Sequence, residues 1–286
     1  MESANEGPLA RRLVLSAPEW ALLVRQTGMR PPPGLPVVDL EDAQVPEVAA
    51  RLAARGVVTA DGGDPLVCRP VEPVAVNLTT FVAARAVVQV EASVADRWTR
   101  ALFAVAGRAG AGLVALADGG VQLSMFEAVT LGPELVRVVP AVRDLVDSEA
   151  ARIGQALGGG PASSSMSGRL PVNALVEYGP AGELAGTVGR HRVVEALGLT
   201  SAQARLAEQV TSRATGVLRI VVSGRLGDGA GLAQVVWLAT DEGWLGLHPD
   251  PDGSGRRMVQ VLPVAREDIG VWLAPYLGQL LEDRDG

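Results

Sequence analysis

Few side chains in this 286-residue chain can do covalent or metal chemistry: one cysteine, Cys68, and two histidines, His191 and His248. A single cysteine closes no internal disulfide, and one cysteine with two histidines does not complete an ordinary Cys/His zinc site. No lysine occurs, which removes Schiff-base and lysine general-base chemistry. Cys68 stands beside Arg69, a cation that favours a thiolate, but a lone cysteine with no placed base reads as a small packed hydrophobe. The stretch GRLGDGAG, Gly224 to Gly231, lacks the closing Lys-Ser/Thr with which a P-loop holds phosphate and metal. It follows a strand pattern without leading into a helix, so it reads as a hairpin turn. Ser163 to Ser165 lie in a Gly/Ser-rich run, without the G-x-S-x-G elbow that holds a nucleophile rigid. The pairs Glu41-Asp42, Asp241-Glu242 and Glu267-Asp268 have no visible partner to split their pKa values for acid–base work. These residues lead us to expect no catalytic, metal or cofactor site.

The scaffold around them is that of a globular protein. At 48% apolar residues there is ample material for a core, in one large domain or two small ones. The formal net charge of -7 works against nucleic acid or an anionic membrane as the main partner, since both need clustered cations. The apolar runs fall well short of the roughly 20 residues a membrane helix needs, and the start MESANEGPLARRLVLS has no h-region for export. A soluble protein of a reducing cytoplasm is expected. The absence of lysine, with the Ala, Gly, Val, Leu and Pro load, resembles the coding bias of a GC-rich actinobacterial genome.

Along the chain, Arg12 to Leu15 reads as a strand, and Ser16 caps a helix with Pro18 and Glu19 in its first turn, ended at Thr27-Gly28. Arg30 to Pro36 (RPPPGLP) is extended and expected to run over the surface. Pro46 starts a short helix to Arg55, and Leu66 to Phe81 is open between extended chain and helix. Apolar alternation from Ala86, then Thr99 to Ala106, then Gly112 to Phe126 broken at Asp118-Gly119-Gly120, gives an antiparallel meander. Pro133 is expected to open a long helix through Val146, kinked or split in two at Pro140. Gly158 to Gly168 is linker by composition. Beyond it come a short strand from Arg169, a helical segment capped by Asn173 and interrupted at Gly179-Pro180, and a capped helix from Ala202 to Arg213. Thr215 to Asp250 reads as a three-stranded meander, and Ile269 to Leu281 as a closing amphipathic helix.

These elements repeat. RLVLS matches RLPVN, AVVQVEAS matches VLRIVVSG, TRALFAVAG matches LAQVVWLAT, and VQLSMFE is paired with WLGLHPD. The expected architecture is α+β, a quasi-two-fold duplicated unit with a central antiparallel sheet, its halves 8–153 and 169–286 joined by a linker at 154–168. Strand parity then sorts side chains by face. Phe103 and Trp237 point with Ala101, Val105, Val235 and Ala239 toward the helices. The other face carries Gln89, Arg100, Leu102, Arg219, Val221, Gln234 and Val236, a mixture suited to protein binding, with a solvated or helix-covered face as the plain alternative. Trp244, beside Gly243, is either a rim anchor or a packed third-strand tryptophan.

Three runs carry a resemblance over nearly the whole chain: LAQVVWLATDEGWLGLHPD with VQVLPVAREDIGVWLAPYLGQLL, ADGGVQLSMFEAVTLGPELVRVVP, and RLVLSAPEWALLVRQTG. They resemble the EspG family, the cytosolic chaperones of actinobacterial type VII (ESX) secretion. The resemblance implies a quasi-symmetric α/β domain with a central antiparallel sheet flanked by helical bundles. It also implies a non-enzymatic role without cofactor, binding the helical tip of secreted PE/PPE-like or WXG-like clients and delivering them for export. The link Ser93 to Arg97 is short where mycobacterial members often carry a longer client-contacting loop. Client contacts are expected at Arg219, Val221, Gln234, Val236, Arg100 and Leu102, with Trp244 at the rim, and a homodimer is left open. Two other readings are kept: an enzyme with its site assembled from scattered Asp, Arg and Ser, and a structural subunit with a fixed partner.

Overall fold

The computed structural model describes residues 12–29, 34–35, 39–61, 64–141, 166–226, 229–251 and 256–282. The first half runs β1 (Arg12–Leu15), α1 (Ala17–Thr27), α2 (Val45–Ala54), β2 (Val58–Asp61), β3 (Asp64–Pro70), α3 (Glu72–Val82), β4 (Ala86–Val94), β5 (Arg97–Ala106), β6 (Ala109–Ala115), β7 (Val121–Glu127) and α4 (Leu131–Val138). The second runs β8 (Gly168–Pro171), α5 (Val172–Leu197), α6 (Ser201–Arg213), β9 (Gly216–Leu226), β10 (Gly229–Thr240), β11 (Gly243–Pro251), β12 (Arg257–Val264) and α7 (Ile269–Glu282). Among the described residues ten strands form one antiparallel sheet, ordered β1-β7-β6-β5-β4-β9-β10-β11-β12-β8, and β2 with β3 makes a separate hairpin. This is an α+β fold, a large antiparallel sheet flanked by helices. Outward from the central β4/β9 pair the order is the same on both sides: hairpin partner, third strand, fourth strand, then the short strand that opens the half.

Several expected boundaries move. The second meander has four strands, because Arg257–Val264 pairs with β11 as β12. By position VQLSMFE, as β7, therefore corresponds to β12, and WLGLHPD to β6, a shift of one strand from the match made on sequence. Leu66 to Phe81 divides into β3 and α3 at Val71, the residue before the helix. Helix α4 stops at Val138, since Val139 precedes Pro140 and adopts the extended conformation that a following proline demands. The rest of the long helix expected there, and residues 154–165 of the linker, lie outside the described residues. Helix α5 runs through Gly179-Pro180 and breaks instead at Ala185-Gly186, where Gly186 takes φ 56° and ψ -136°, a region open in practice only to glycine. Pro171, not Asn173, precedes its first turn.

Two faces of the sheet hold three cores. On one, Phe103 and Trp237 pack with Val88, Val90, Leu218, Ile220 and Val222 beneath α4 and α7. This confirms the side to which those rings were assigned. Trp272 of α7 lies 5.6 Å from Trp237 and presses on Gly246, where an added Cβ would stand 2.5 Å from its ring. On the opposite face, Trp20, Leu52 and Leu78 of α1 to α3 cover Leu102, Leu113 and Leu123. At the other end of that face Tyr178, Leu206 and Val210 of α5 and α6 cover Leu170, Leu245 and Val261. The middle of this second face, over β4, β9 and β10, has no helix on it among the described residues.

Two local features yield predictions. The β4–β5 hairpin turns at Ala95, whose φ of 53° is left-handed and unfavourable for a residue with a Cβ. Ala95→Gly is expected to stabilise by about 0.5–1 kcal/mol, read as a higher denaturant midpoint. The second feature is Glu19, buried in the first turn of α1. Ser16 N–H and Arg55 Nη1 each donate to it at 2.8 Å. Burial alone raises its pKa, but the Ser16 N–H and the Arg55 hydrogen bond and charge outweigh burial and hold it below the usual glutamate value. Its contribution is therefore full above the ordinary glutamate pKa and is lost as pH falls through the depressed one. An acid-unfolding titration of Glu19→Gln should lack that component.

Candidate functional site

The uncovered strip is built by register. Across the sheet, Arg100 pairs with Glu91, Glu91 with Arg219, Arg219 with Val236, and Val236 with Leu247, so these five side chains form one row. The next row is Leu102, Gln89, Val221 and Gln234. Six of the seven residues singled out from sequence thus share a face.

Two of the seven do not present their side chains there. Leu102 shares the face but lies under the N-terminal helices, packed in the core around Trp20 and Leu113. Trp244 pairs with Ala239, which puts it on the Trp237 side of the sheet. It is 4% exposed, its Nε1 donates to the Pro140 carbonyl at 3.1 Å, and its ring is 6.3 Å from Trp237. The rim position expected for it is corrected to a packed one, and the parity with Ala239 was the signal that could have placed it.

The remaining residues differ in exposure and charge. Arg219 is exposed and has no ion pair or hydrogen bond among the described residues. Its neighbour Glu91 accepts from Gln89 Nε2 at 3.1 Å. Arg100 stacks 5.7 Å from the exposed Trp98 ring and donates to the Gly34 carbonyl at 3.5 Å. Beyond Val236 the strip opens into a cavity of about 590 Å³ between the sheet and helices α5 and α6, walled by Leu175, Val210, Val236, Leu247 and Val259. Val176 and Leu184 of α5 and Val217 and Leu232 of the sheet stand exposed. Sequence reading missed the α5 and β12 walls because it interrupted one element at Gly179-Pro180 and omitted the other.

The groups with chemical potential have structural surroundings. Cys68 is buried, which pushes its thiol pKa up, away from a reactive thiolate. His191 pairs with Glu195 at 3.2 Å on an exposed turn of α5, and His248 Nδ1 lies 2.8 Å from the Pro249 carbonyl. Among the described residues no three His, Cys, Asp or Glu side chains gather as metal ligands. What this arrangement offers a partner is an exposed cation without an ion pair among the described residues, flanked across the sheet by Glu91 and Val236, beside an apolar cavity.

The fold defines a class: a wide antiparallel sheet with helices on both faces and an uncovered strip between two helical groups on one of them. Among solved structures the chain is similar to the type VII secretion system chaperone EspG5 of Mycobacterium tuberculosis, determined in complex with a PE25–PPE41 dimer. The TM-score is 0.60 at 13% identity, over 94% of this chain and 96% of that one. At that identity the likeness establishes a shared fold. No protein-family model matches the sequence, and no curated protein matches it significantly.

Proposed function

We propose that this protein is a cytoplasmic, non-enzymatic chaperone or adaptor that binds a helical type VII secretion substrate, PE/PPE-like or WXG-like, and keeps it soluble until export. The observation that carries the reading is the uncovered strip, where Arg219, without an ion pair among the described residues, stands between Glu91 and Val236 with Val221 two residues along its strand, and which leads into the apolar cavity under α5 and α6. An exposed apolar surface with a central cation suits the masking of a hydrophobic helical tip. Arg219, Val221, Gln234 and Val236 supply the central contacts and Arg100 the far end of the row. Likeness of fold to a chaperone solved with a PE25–PPE41 dimer supports the same direction. The matching strand order on either side of β4/β9 supports descent of 8–153 and 169–286 from one duplicated unit within a single domain.

Masking has a direct test. A purified PE/PPE-type heterodimer, diluted into conditions where it aggregates, should stay clear by light scattering when this protein is added in equimolar amount. Unchanged turbidity at several-fold excess would count against the reading.

A further inference from the structure

Strand β10 is paired on one side for nearly all its length and on the other for less than half. With β9 it pairs from Gly229 to Ala239, but with β11 only from Val236 to Thr240. Past Val236 and Leu247, β11 continues along β12 to Pro251, and the two ribbons part. From Gly229 to Val235, β10 therefore has no strand on its second side among the described residues. A cavity lies on each face of the parting. One is the space of about 590 Å³ under α5 and α6, and the other, of about 280 Å³, is lined by Val235, His248, Trp272 and Tyr276. Gln234, Leu247 and Pro249 border both.

Other edges of this sheet carry protection. The outer strands β1 and β8 are four residues each, Arg55 Nη2 caps the Val14 carbonyl at 2.5 Å, and Gln203 Nε2 donates to the Arg169 carbonyl at 3.4 Å. On the β11 side of the parting, Pro249 and Pro251 remove donors, and Asp250 is ion-paired with Arg169 at 2.5 Å. At the corresponding parting in the first half, where β5 leaves β6 beyond Ala101, the chain's own Gly34 and Leu35 line an opening of about 560 Å³ with Trp98, Arg100 and Leu116. Leu35 is buried there, and Arg100 reaches the Gly34 carbonyl. Against this, the β10 edge reads GAGLAQV, with no charge and no proline, and Leu232 is 76% exposed. A bare edge of that length is a template for another extended chain.

We infer that the β10–β11 parting is a docking site for an extended peptide segment of a partner, added as a strand to Gly229–Val235. Successive side chains of a strand point to opposite faces, so alternate apolar residues of the guest enter the two cavities while its backbone completes the ladder. This site shares Gln234 and the larger cavity with the surface proposed for the client, but it rests on the unpaired edge of β10 and stands whether or not the client is a secretion substrate.

The test is amide hydrogen exchange on the full chain with a synthetic heptapeptide, Val-Leu-Arg-Ile-Val-Val-Ser, which copies the Val217–Ser223 stretch that already pairs with β10. A control peptide carries proline in place of its isoleucine and cannot complete a ladder. The outward amides of Gly229–Val235 should exchange rapidly in the free protein, slow about tenfold or more with the first peptide and remain fast with the second. Leu232→Lys, which places an edge charge, should weaken the protection. Slow exchange already present in the free protein would mean that this chain, or a second copy of it, covers the edge. Fast exchange at millimolar peptide would mean that the edge accepts no strand. Either result overturns the inference.

Discussion

Combining Arg219→Glu with Val236→Asp will abolish capture of the proposed helical client, weakening binding by about 100-fold or more, while the protein stays folded. Val236 stands between Arg219 and Leu247 at the mouth of the cavity. An aspartate there would have to be desolvated without a partner when an apolar tip docks. Glutamate at 219 reverses the free cation and faces Glu91 across the strand pair. That repulsion costs the fold about 1 kcal/mol, because cross-strand like charges are unfavourable but the position is exposed. Circular dichroism should therefore be unchanged and the thermal midpoint only slightly lower. Arg219→Lys, which keeps the charge, should retain most of the binding.

The second large effect is on stability. Trp237→Ala should cost about 3–5 kcal/mol, measured as a lowered urea midpoint with an unchanged slope. The ring is fully buried between Trp244 and Trp272, and its strand neighbours are Leu218 and Gly246. Trp272 of α7 leans on the ring, so closing the space it would leave means moving that helix. Its Nε1 is buried with no hydrogen-bond partner among the described residues. Trp237→Phe removes that unsatisfied donor along with part of the ring and should be much milder than alanine.

Much of this was legible in the residue order, for physical reasons. Alternation in AVVQVEAS, VLRIVVSG and LAQVVWLAT marks central strands, because a strand with one face on a core shows a period of two. The same period put Arg100, Arg219, Gln234 and Val236 on one face and Trp237 on the other. It failed where a strand has another reason for its composition. β12 (RMVQVLPV) carries Pro263 and runs straight into the turn before α7, and the sequence reading assigns no element to it. Leu102 obeys the parity rule yet is covered, since which helices return over which end of a sheet depends on long-range topology that periodicity does not encode. Helix α5 kept its turn through Pro180 and broke at Gly186. Tertiary packing overrode the local signal there: Gly189 lies so near the Ala181 carbonyl that a Cβ would come within 2.0 Å of it. The cavity was invisible for the same reason, being made by residues from α5, α6 and three strands.

Size-exclusion chromatography with light scattering, after co-expression with a PE/PPE-type or WXG-like helical pair, tests the central claim most directly. We predict a single peak whose mass contains both client chains and this protein, lost when Arg219→Glu and Val236→Asp are combined. Elution of this protein alone beside a soluble client pair, or a complex indifferent to the two substitutions, would contradict the account.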